Sequence, residues 1–314
     1  MSLKVDIKER NVIIAFFAIP IIMLIFGYFI YPYPPSVLST RLTFVSLFIG
    51  LILLGVGYYL REDKYVSTRL KMMGWCFFAF YWSLQPVHLY YPSQDLFNAA
   101  TCAVGVFFLF YLAYHEWLSL KLEDHPRFLD WIAGATFVAG MIYFVIDTEI
   151  VPLLKTGMIE VVSEQSVSIM RLFGLVVIRD GANIVYNNTP ITIIFACTAI
   201  QSMVLFVGMN GALYNVDVKR RLVVILITIL PVYFLNLLRN AGVIFMVGAG
   251  YLSFEMAHNV VFKLLSLVAL IILLLINFKI VPELYDEIMC IFDLGKRDGP
   301  LEILFKKIFN RLRL

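Results

Sequence analysis

The chain has 314 residues, 61% of them hydrophobic and only 15% charged, with a formal net charge of +3. A soluble domain has about 45–50% apolar residues, so this composition excludes that class and indicates a polytopic membrane protein. The small net charge argues against nucleic-acid binding. The four cysteines have no CxxC spacing, which argues against a zinc site or a disulfide framework. We expect no metal and no cofactor.

Apolar runs of spanning length follow one another along the whole chain. A helix needs about 20 such residues to cross the hydrocarbon core. We therefore predict an all-α membrane protein that forms one integral membrane domain over residues 1–314. The eight predicted spans are 12–30, 42–60, 72–91, 96–114, 131–149, 191–213, 222–249 and 258–281.

The connections between spans differ in charge. Most of the 25 Lys and Arg residues lie before the first span, after the eighth span or in every second connection. The remaining connections hold only Arg41, Lys155, Arg171 and Arg179. The positive-inside rule then predicts that both termini are cytoplasmic. The expected location is the cell membrane.

Two segments lie outside the predicted spans. Residues 155–189 form the only long outer connection, and "LVVIRDGANIVY" predicts a β-hairpin around Asp180-Gly181, with "EVVSEQSVSIM" as a further strand. We expect this small extracytoplasmic flap to cover a site or to be a structural hairpin. Residues 282–314 predict a basic amphipathic tail that rests on the inner membrane surface or binds a partner.

Three chemically active side chains are predicted to share one layer of the bilayer. Cys197, in "FACTAIQSM", lies about 9 Å below the outer edge of the sixth span, and Arg239 lies ~26 Å above the inner edge of the seventh. His258 begins the eighth span. Among the other candidates, His88 is also predicted near the outer face, and Lys263 either snorkels or adds a second positive charge.

A thiol, a guanidinium and an imidazole together favour acyl transfer through a thioester. The thiolate is the nucleophile, His258 has the chemistry to take its proton and to return one to a leaving amine, and Arg239 has a fixed charge that stabilises an oxyanion. An arginine inside a span costs about 2.5–3.5 kcal/mol on insertion scales and generally faces a cavity or a partner, and the alternative for Arg239 is that its side chain snorkels to the outer headgroups.

The stretches "ACTAIQS" (196–202) and "LNLLRNAGV" (235–243) and the "HN" at 258–259 resemble the exosortase/archaeosortase family of membrane cysteine transpeptidases, most closely its archaeal, archaeosortase A-like branch. The resemblance implies that Cys197 is the nucleophile, Arg239 the stabiliser and His258 the third basic member. It also implies that the partners are surface proteins with a C-terminal motif, a transmembrane helix and a basic tail, and that a membrane lipid is the acceptor. The active site would face the exterior.

Two residues qualify the resemblance. The family usually has glycine two residues after the cysteine, where this chain has Ala199. Some archaeal members have arginine in place of the histidine, which favours an orienting or charge-stabilising role for His258 over an obligatory proton shuttle.

Other classes of protein also fit many spans. A transporter, or a component for lipid or polysaccharide export without cysteine catalysis, would place charge near the midplane and at broken helices in two related halves. The chain has no internal repeat, and its midplane charge is nearly absent. An assembly subunit would leave Arg239 without a purpose.

Overall fold

The computed structural model describes residues 7–92, 94, 96–148 and 150–312. Within these ranges the chain is mostly helical, with one small sheet between the seventh and eighth helices. Lys4 and Arg313 of the predicted basic flanks, and Glu149 at the end of the fifth predicted span, lie outside the described residues. The helices are α1 Ile7–Ile30, α2 Val37–Tyr59, α3 Lys64–Ser83, α4 Pro86–Tyr90, α5 Leu96–Leu122, α6 Arg127–Asp147, α7 Pro152–Leu172, α8 Ile200–Gly211, α9 Val218–Gly248, α10 Phe262–Ile280, α11 Pro282–Met289, α12 Ile291–Leu294 and α13 Pro300–Leu312.

Six helical segments in the described part of the chain are long and apolar enough to cross a membrane, instead of the eight we predicted. They are α1, α2, α5, α6, α9 and α10 together with the π-helical turn that precedes it. The third predicted span is divided between α3 and α4, which begins at Pro86. The positions of the termini relative to a membrane remain a prediction.

The prediction of a spanning helix over residues 191–213 is wrong. This region contains strand β3 (Thr189–Thr192), a 3₁₀ turn (Phe195–Thr198) and then α8, which has only twelve residues. At the rise of an α-helix, α8 is about 18 Å long, which is too short for the hydrocarbon core. Cys197 therefore lies in a tight turn before a helix and not inside one.

The predicted hairpin is confirmed. Strands β1 (Ile178–Asp180) and β2 (Asn183–Tyr186) pair antiparallel with Asp180 opposite Asn183, and Gly181 supplies the positive φ of +57° at the turn. β3 pairs antiparallel with β2 and gives the order β1-β2-β3. The second turn uses Asn187 and Asn188, whose φ angles of 47° and 61° suit a tight primed turn.

The further strand predicted over "EVVSEQSVSIM" is wrong, because residues 160–170 belong to the helix α7. The Val-rich composition suggested a strand, but the spacing of the buried residues is helical. Val162, Ser166 and Met170 follow one another at intervals of four and face the core.

The described chain divides into two compact units, with one boundary inside α6. The first unit extends to Phe137 and resumes at Glu287, and the second is Val138–Asp286. In the first unit the C-terminal helix α13 is anchored to α5 by Glu302. This carboxylate accepts hydrogen bonds from Tyr111 at 2.9 Å and Tyr114 at 2.8 Å, and pairs with His115 at 3.3 Å. The tail thus has an intramolecular packing partner.

In the second unit three helices are joined by a buried polar network. Asn210 of α8 donates to the side-chain oxygen of Asn277 in α10 at 2.8 Å, and Asn277 donates to the Thr228 hydroxyl of α9 at 2.7 Å. All three side chains have no exposed surface. Because a polar group in apolar surroundings needs a partner, these bonds fix the mutual register of the helices that carry the candidate site.

Candidate active site

Cys197 is positioned by its own backbone. Its N–H donates to the carbonyl of Ile194 at 2.8 Å, within the 3₁₀ turn. Its carbonyl accepts two hydrogen bonds from α9, from the side-chain amides of Asn236 at 2.8 Å and Asn240 at 3.0 Å. Both asparagines are buried, with 8% and 4% exposure. The turn that bears the thiol is therefore fixed to the helix that bears Arg239.

The two asparagines were not among the predicted site residues. They lie within the "LNLLRNAGV" segment and flank Arg239 at positions i and i+4, so they occupy one face of α9. Two amides one turn apart in an otherwise apolar helix are a signal that could have identified them.

Ala199 separates the 3₁₀ turn from α8 and has a left-handed backbone, with φ 60° and ψ 9°. A residue with a Cβ is disfavoured there by roughly 1–2 kcal/mol, whereas glycine adopts this conformation without that cost. This conformation gives a physical reason for a glycine two residues after the cysteine. The chain accommodates Ala199 at the same place with local strain.

Arg239 and His258 are brought together, as the sequence predicted. Nη2 of Arg239 and Nε2 of His258 are 3.1 Å apart, and His258 Nδ1 lies 3.0 Å from Oδ1 of Asn259. A guanidinium only donates and a carbonyl oxygen only accepts, so Nε2 is the acceptor and Nδ1 carries the proton. In this arrangement the imidazole is neutral and its basic nitrogen is occupied by the arginine.

The end of α9 explains how His258 reaches Arg239. Gly250, with φ +74°, donates to Val247 at 3.0 Å, and Tyr251 donates to Met246 at 3.0 Å, which terminates α9 in a Schellman motif. The chain then reverses into the π-helical turn Met256–Val261, which carries His258. Such turns widen a helix locally and are frequent at functional sites.

Close packing holds the π-helical turn and α10 against α9. A Cβ at Gly242 would collide with the ring of Phe262, so glycine is needed one turn after Arg239. The ring of Phe254 stacks on His258 with centroids 5.1 Å apart and an angle of 12° between the planes. The orientation of the imidazole is thus set by Phe254, Asn259 and Arg239.

Cys197 also lies near Arg239. The amides of Asn236 and Asn240 that hold the Cys197 carbonyl belong to the same helix as Arg239, and the two side chains are close enough for a charge interaction. Both side chains are half-buried, which strengthens such an interaction relative to water. The structure therefore places Cys197 near Arg239 and joins His258 to Arg239 by a hydrogen bond.

The hairpin lies beside this group. Ile184, Tyr186 and Ile191 pack with α7 and α9 in one apolar cluster, and Cys197 is packed against it. A Cβ at Gly248 would meet the carbonyl oxygen of Tyr186 at 2.8 Å, so the hairpin approaches α9 closely. The flap is thus part of the folded core of the second unit and adjoins the thiol.

A cavity of about 330 Å³ opens next to the site. It is lined by Ala196 and Ala199 near Cys197, by Asn236 and Arg239 of α9, and by Lys263 and Ser266 of α10. The sequence left two roles open for Lys263, snorkelling or a second positive charge at the site. In the structure Lys263 lines the same cavity as Arg239.

The other candidate residues have different environments in the first unit. Nε2 of His88 donates a hydrogen bond to the carbonyl of Tyr31 at 2.9 Å, and the imidazole packs on the Tyr31 ring. Cys102 is buried and donates to the Trp82 carbonyl at 3.4 Å. These groups have structural partners there, and the same holds for His115, which pairs with Glu302.

The fold and the site define a multi-pass membrane protein in which a cysteine and a histidine lie near an arginine that lines a cavity. The family described as Transmembrane exosortase (Exosortase_EpsH) matches residues 49–275, well over half of the chain. The protein therefore belongs to the transmembrane exosortase family, whose members are generally cysteine transpeptidases. No curated protein and no solved structure matches the chain.

Proposed function

We propose that this protein is a cysteine transpeptidase of the cell membrane that removes the C-terminal sorting signal of surface proteins and transfers them to a membrane lipid. We assign it to the archaeal, archaeosortase A-like branch because of the stretches around Cys197, Arg239 and His258. The observation that carries the proposal is the position of Arg239, which hydrogen-bonds to His258 and lies on the helix that holds the Cys197 carbonyl through Asn236 and Asn240. We place the site at the outer face of the membrane on the distribution of Lys and Arg.

The first half of the reaction forms a thioester. The Cys197 thiolate attacks the carbonyl carbon of the scissile peptide, a C–S bond forms and the carbonyl oxygen becomes an oxyanion. Arg239 stabilises this negative charge as it moves from sulfur to oxygen. The thiol proton is released to water before the attack. Collapse of the intermediate then breaks the C–N bond, and the leaving nitrogen takes a proton from water.

The second half transfers the acyl group. A hydroxyl or amine of the acceptor attacks the thioester carbon and loses its proton to water, and the C–S bond breaks. Sulfur leaves as the thiolate, which Arg239 again stabilises. The fixed positive charge of Arg239 thus stabilises the Cys197 thiolate both as the nucleophile and as the leaving group.

We assign His258 an orienting role. Its Nε2 is occupied by Arg239 and its Nδ1–H by Asn259, so the ring holds the guanidinium toward Cys197. Another side chain that accepts a hydrogen bond from Arg239 at the same place can take this role.

We further propose that the flap helps to recognise the sorting signal. Replacing the whole sheet would remove Ile184 and Tyr186 from the core, so a sharper test changes only exposed residues. Val176 and Ile178 are 86% and 67% exposed. Val176→Ser with Ile178→Ser should raise KM for the signal and leave the melting temperature unchanged; an unchanged KM would exclude recognition through this surface.

Cleavage of a reconstituted signal-bearing protein tests the proposal. Cys197→Ser should abolish cleavage while the protein inserts and folds normally, because a hydroxyl at this site lacks a comparable nucleophilic anion. Cys102→Ser is the matched control and should retain cleavage. If Cys197→Ser cleaves at the wild-type rate, the protein is not a cysteine transpeptidase.

A further inference from the structure

The cavity beside the catalytic group has an unusual balance of charge. Arg239 and Lys263 both line it, and none of its described lining residues is an aspartate or a glutamate. Its volume of about 330 Å³ is at the small end of ligand cavities, which span roughly 300–1,000 Å³. It is large enough for a small group and is positively charged.

Lys263 has no bonding partner that explains its position. No hydrogen bond or ion pair involves its ammonium group among the described residues, and it lies within an apolar helix long enough to cross a membrane. Charged residues inside such helices are costly and usually face a partner or a cavity that contains one. An anionic ligand would be the missing partner.

The polar side chains around Lys263 favour a particular kind of anion. Ser266 is one turn after Lys263 on the same face of α10, and Gln201 and Ser202 of α8 lie across the cavity. Hydroxyl and amide donors next to two cations suit an anion with several oxygen atoms, such as a phosphate group. Below them the wall becomes apolar with Leu270 and Leu273, as a lipid chain would require.

The charge of the site changes during the proposed reaction. In that reaction Cys197 is a thiolate before acylation, and its negative charge near Arg239 offsets part of the positive charge. In the thioester the sulfur is neutral, so Arg239 and Lys263 remain without an anion. An anionic ligand is therefore bound most tightly at the stage at which the acceptor has to enter.

We propose that Lys263, with Arg239 and Ser266, binds the phosphate group of the acceptor lipid and that this site is completed when Cys197 is acylated. This inference rests on the proposed function, since it identifies the group by which the acceptor is held. It makes Lys263 a residue that selects anionic acceptors over neutral ones.

Lipid binding to inactive full-length protein tests the inference without any cleavage. Cys197→Ala removes the thiolate and reproduces the charge of the thioester stage. The protein is placed in nanodiscs of phosphatidylcholine that contain phosphatidic acid, and retained lipids are measured by native mass spectrometry. Inorganic phosphate is added as a competitor in a second series.

Four variants are compared in the Cys197→Ala background, namely no further change, Lys263→Gln, Lys263→Arg and Lys279→Gln. Lys279 is the matched control, because it lies in the same helix about 24 Å further along and outside the cavity. We expect Lys263→Gln to lower phosphatidic acid retention about tenfold, as for the loss of one charged hydrogen bond. Lys263→Arg and Lys279→Gln should stay within about twofold, because both leave a cation at position 263.

The outcomes separate the sources of the phosphate group. Retention that depends on Lys263 and resists inorganic phosphate supports a lipid acceptor. If free phosphate binds alone in a Lys263-dependent manner and displaces the lipid, the site recognises a soluble anion and the lipid assignment is overturned. Equal retention by Lys263→Gln and Lys279→Gln overturns the site itself, whatever the result of the cleavage assay with Cys197→Ser.

Discussion

The two amides that hold the Cys197 carbonyl allow a quantitative prediction. Asn236→Leu and Asn240→Leu each keep the approximate volume of the side chain and remove one hydrogen bond, of 2.8 and 3.0 Å. A neutral hydrogen bond contributes about 1 kcal/mol, so each single variant should lower kcat/KM about fivefold. The double variant leaves the carbonyl with neither donor and should lose about 2 kcal/mol or more, or ~30-fold.

Cleavage of a signal-bearing substrate in proteoliposomes provides the assay, and thermal unfolding provides the control. Asn210→Leu removes a buried amide from the network around Asn277. It should lower the melting temperature but lower kcat/KM of the folded protein less than the double variant does, because Asn210 does not contact the Cys197 carbonyl. A folded double variant of Asn236 and Asn240 with wild-type kcat/KM would refute the view that these amides position the nucleophile.

Three further predictions concern single residues. Ala199→Gly relieves a left-handed alanine and should stabilise the protein by about 1 kcal/mol, measured as a rise in melting temperature of about 2–4 °C; no rise would contradict the strain. His258→Gln supplies an oxygen that can accept a hydrogen bond from Arg239, so activity should stay within about tenfold of wild type. The pH profile of activity should not change between pH 5 and 8. A loss of activity comparable to that of Cys197→Ser would indicate a proton shuttle. Burial alone would raise the pKa of Glu302, but hydrogen bonds from His115, from its own backbone amide and from Tyr114 outweigh burial and lower it. Its stabilising contribution is therefore present above the unfolded pKa of about 4.3 and lost as pH falls through the lower folded value, so the difference in melting temperature between wild type and Glu302→Gln should disappear below about pH 4.

The apolar runs predicted most of the helices because length and hydropathy are local properties. They failed over residues 191–213, where a strand, a 3₁₀ turn and a short helix follow one another and where scattered polar residues such as Thr192, Thr198 and Gln201 do not interrupt the apolar run. The segment 160–170 was misassigned for the opposite reason. Its valines favour a strand locally, but the helical spacing of Val162, Ser166 and Met170 lets it cover the core.

The sequence predicted that the three candidate residues would lie near one another, and their roles remain a prediction. Cys197, Arg239 and His258 were chosen from their residue types and their depth, and the structure groups them although Cys197 is not in the predicted helix. Asn236 and Asn240 were missed, since an amide in an apolar helix has no chemistry of its own. Their role depends on the position of the Cys197 carbonyl, which is a tertiary property.

The central claim is that Cys197 forms a covalent thioester and that Arg239 stabilises the charge on the way to it. Intact-mass analysis after incubation with a signal-bearing peptide tests this most directly. We predict an acyl adduct on Cys197 in the wild type, slower formation in Arg239→Lys and strong loss in Arg239→Ala. Turnover without any adduct on Cys197, or an adduct that forms at the wild-type rate in Arg239→Ala, would contradict the account.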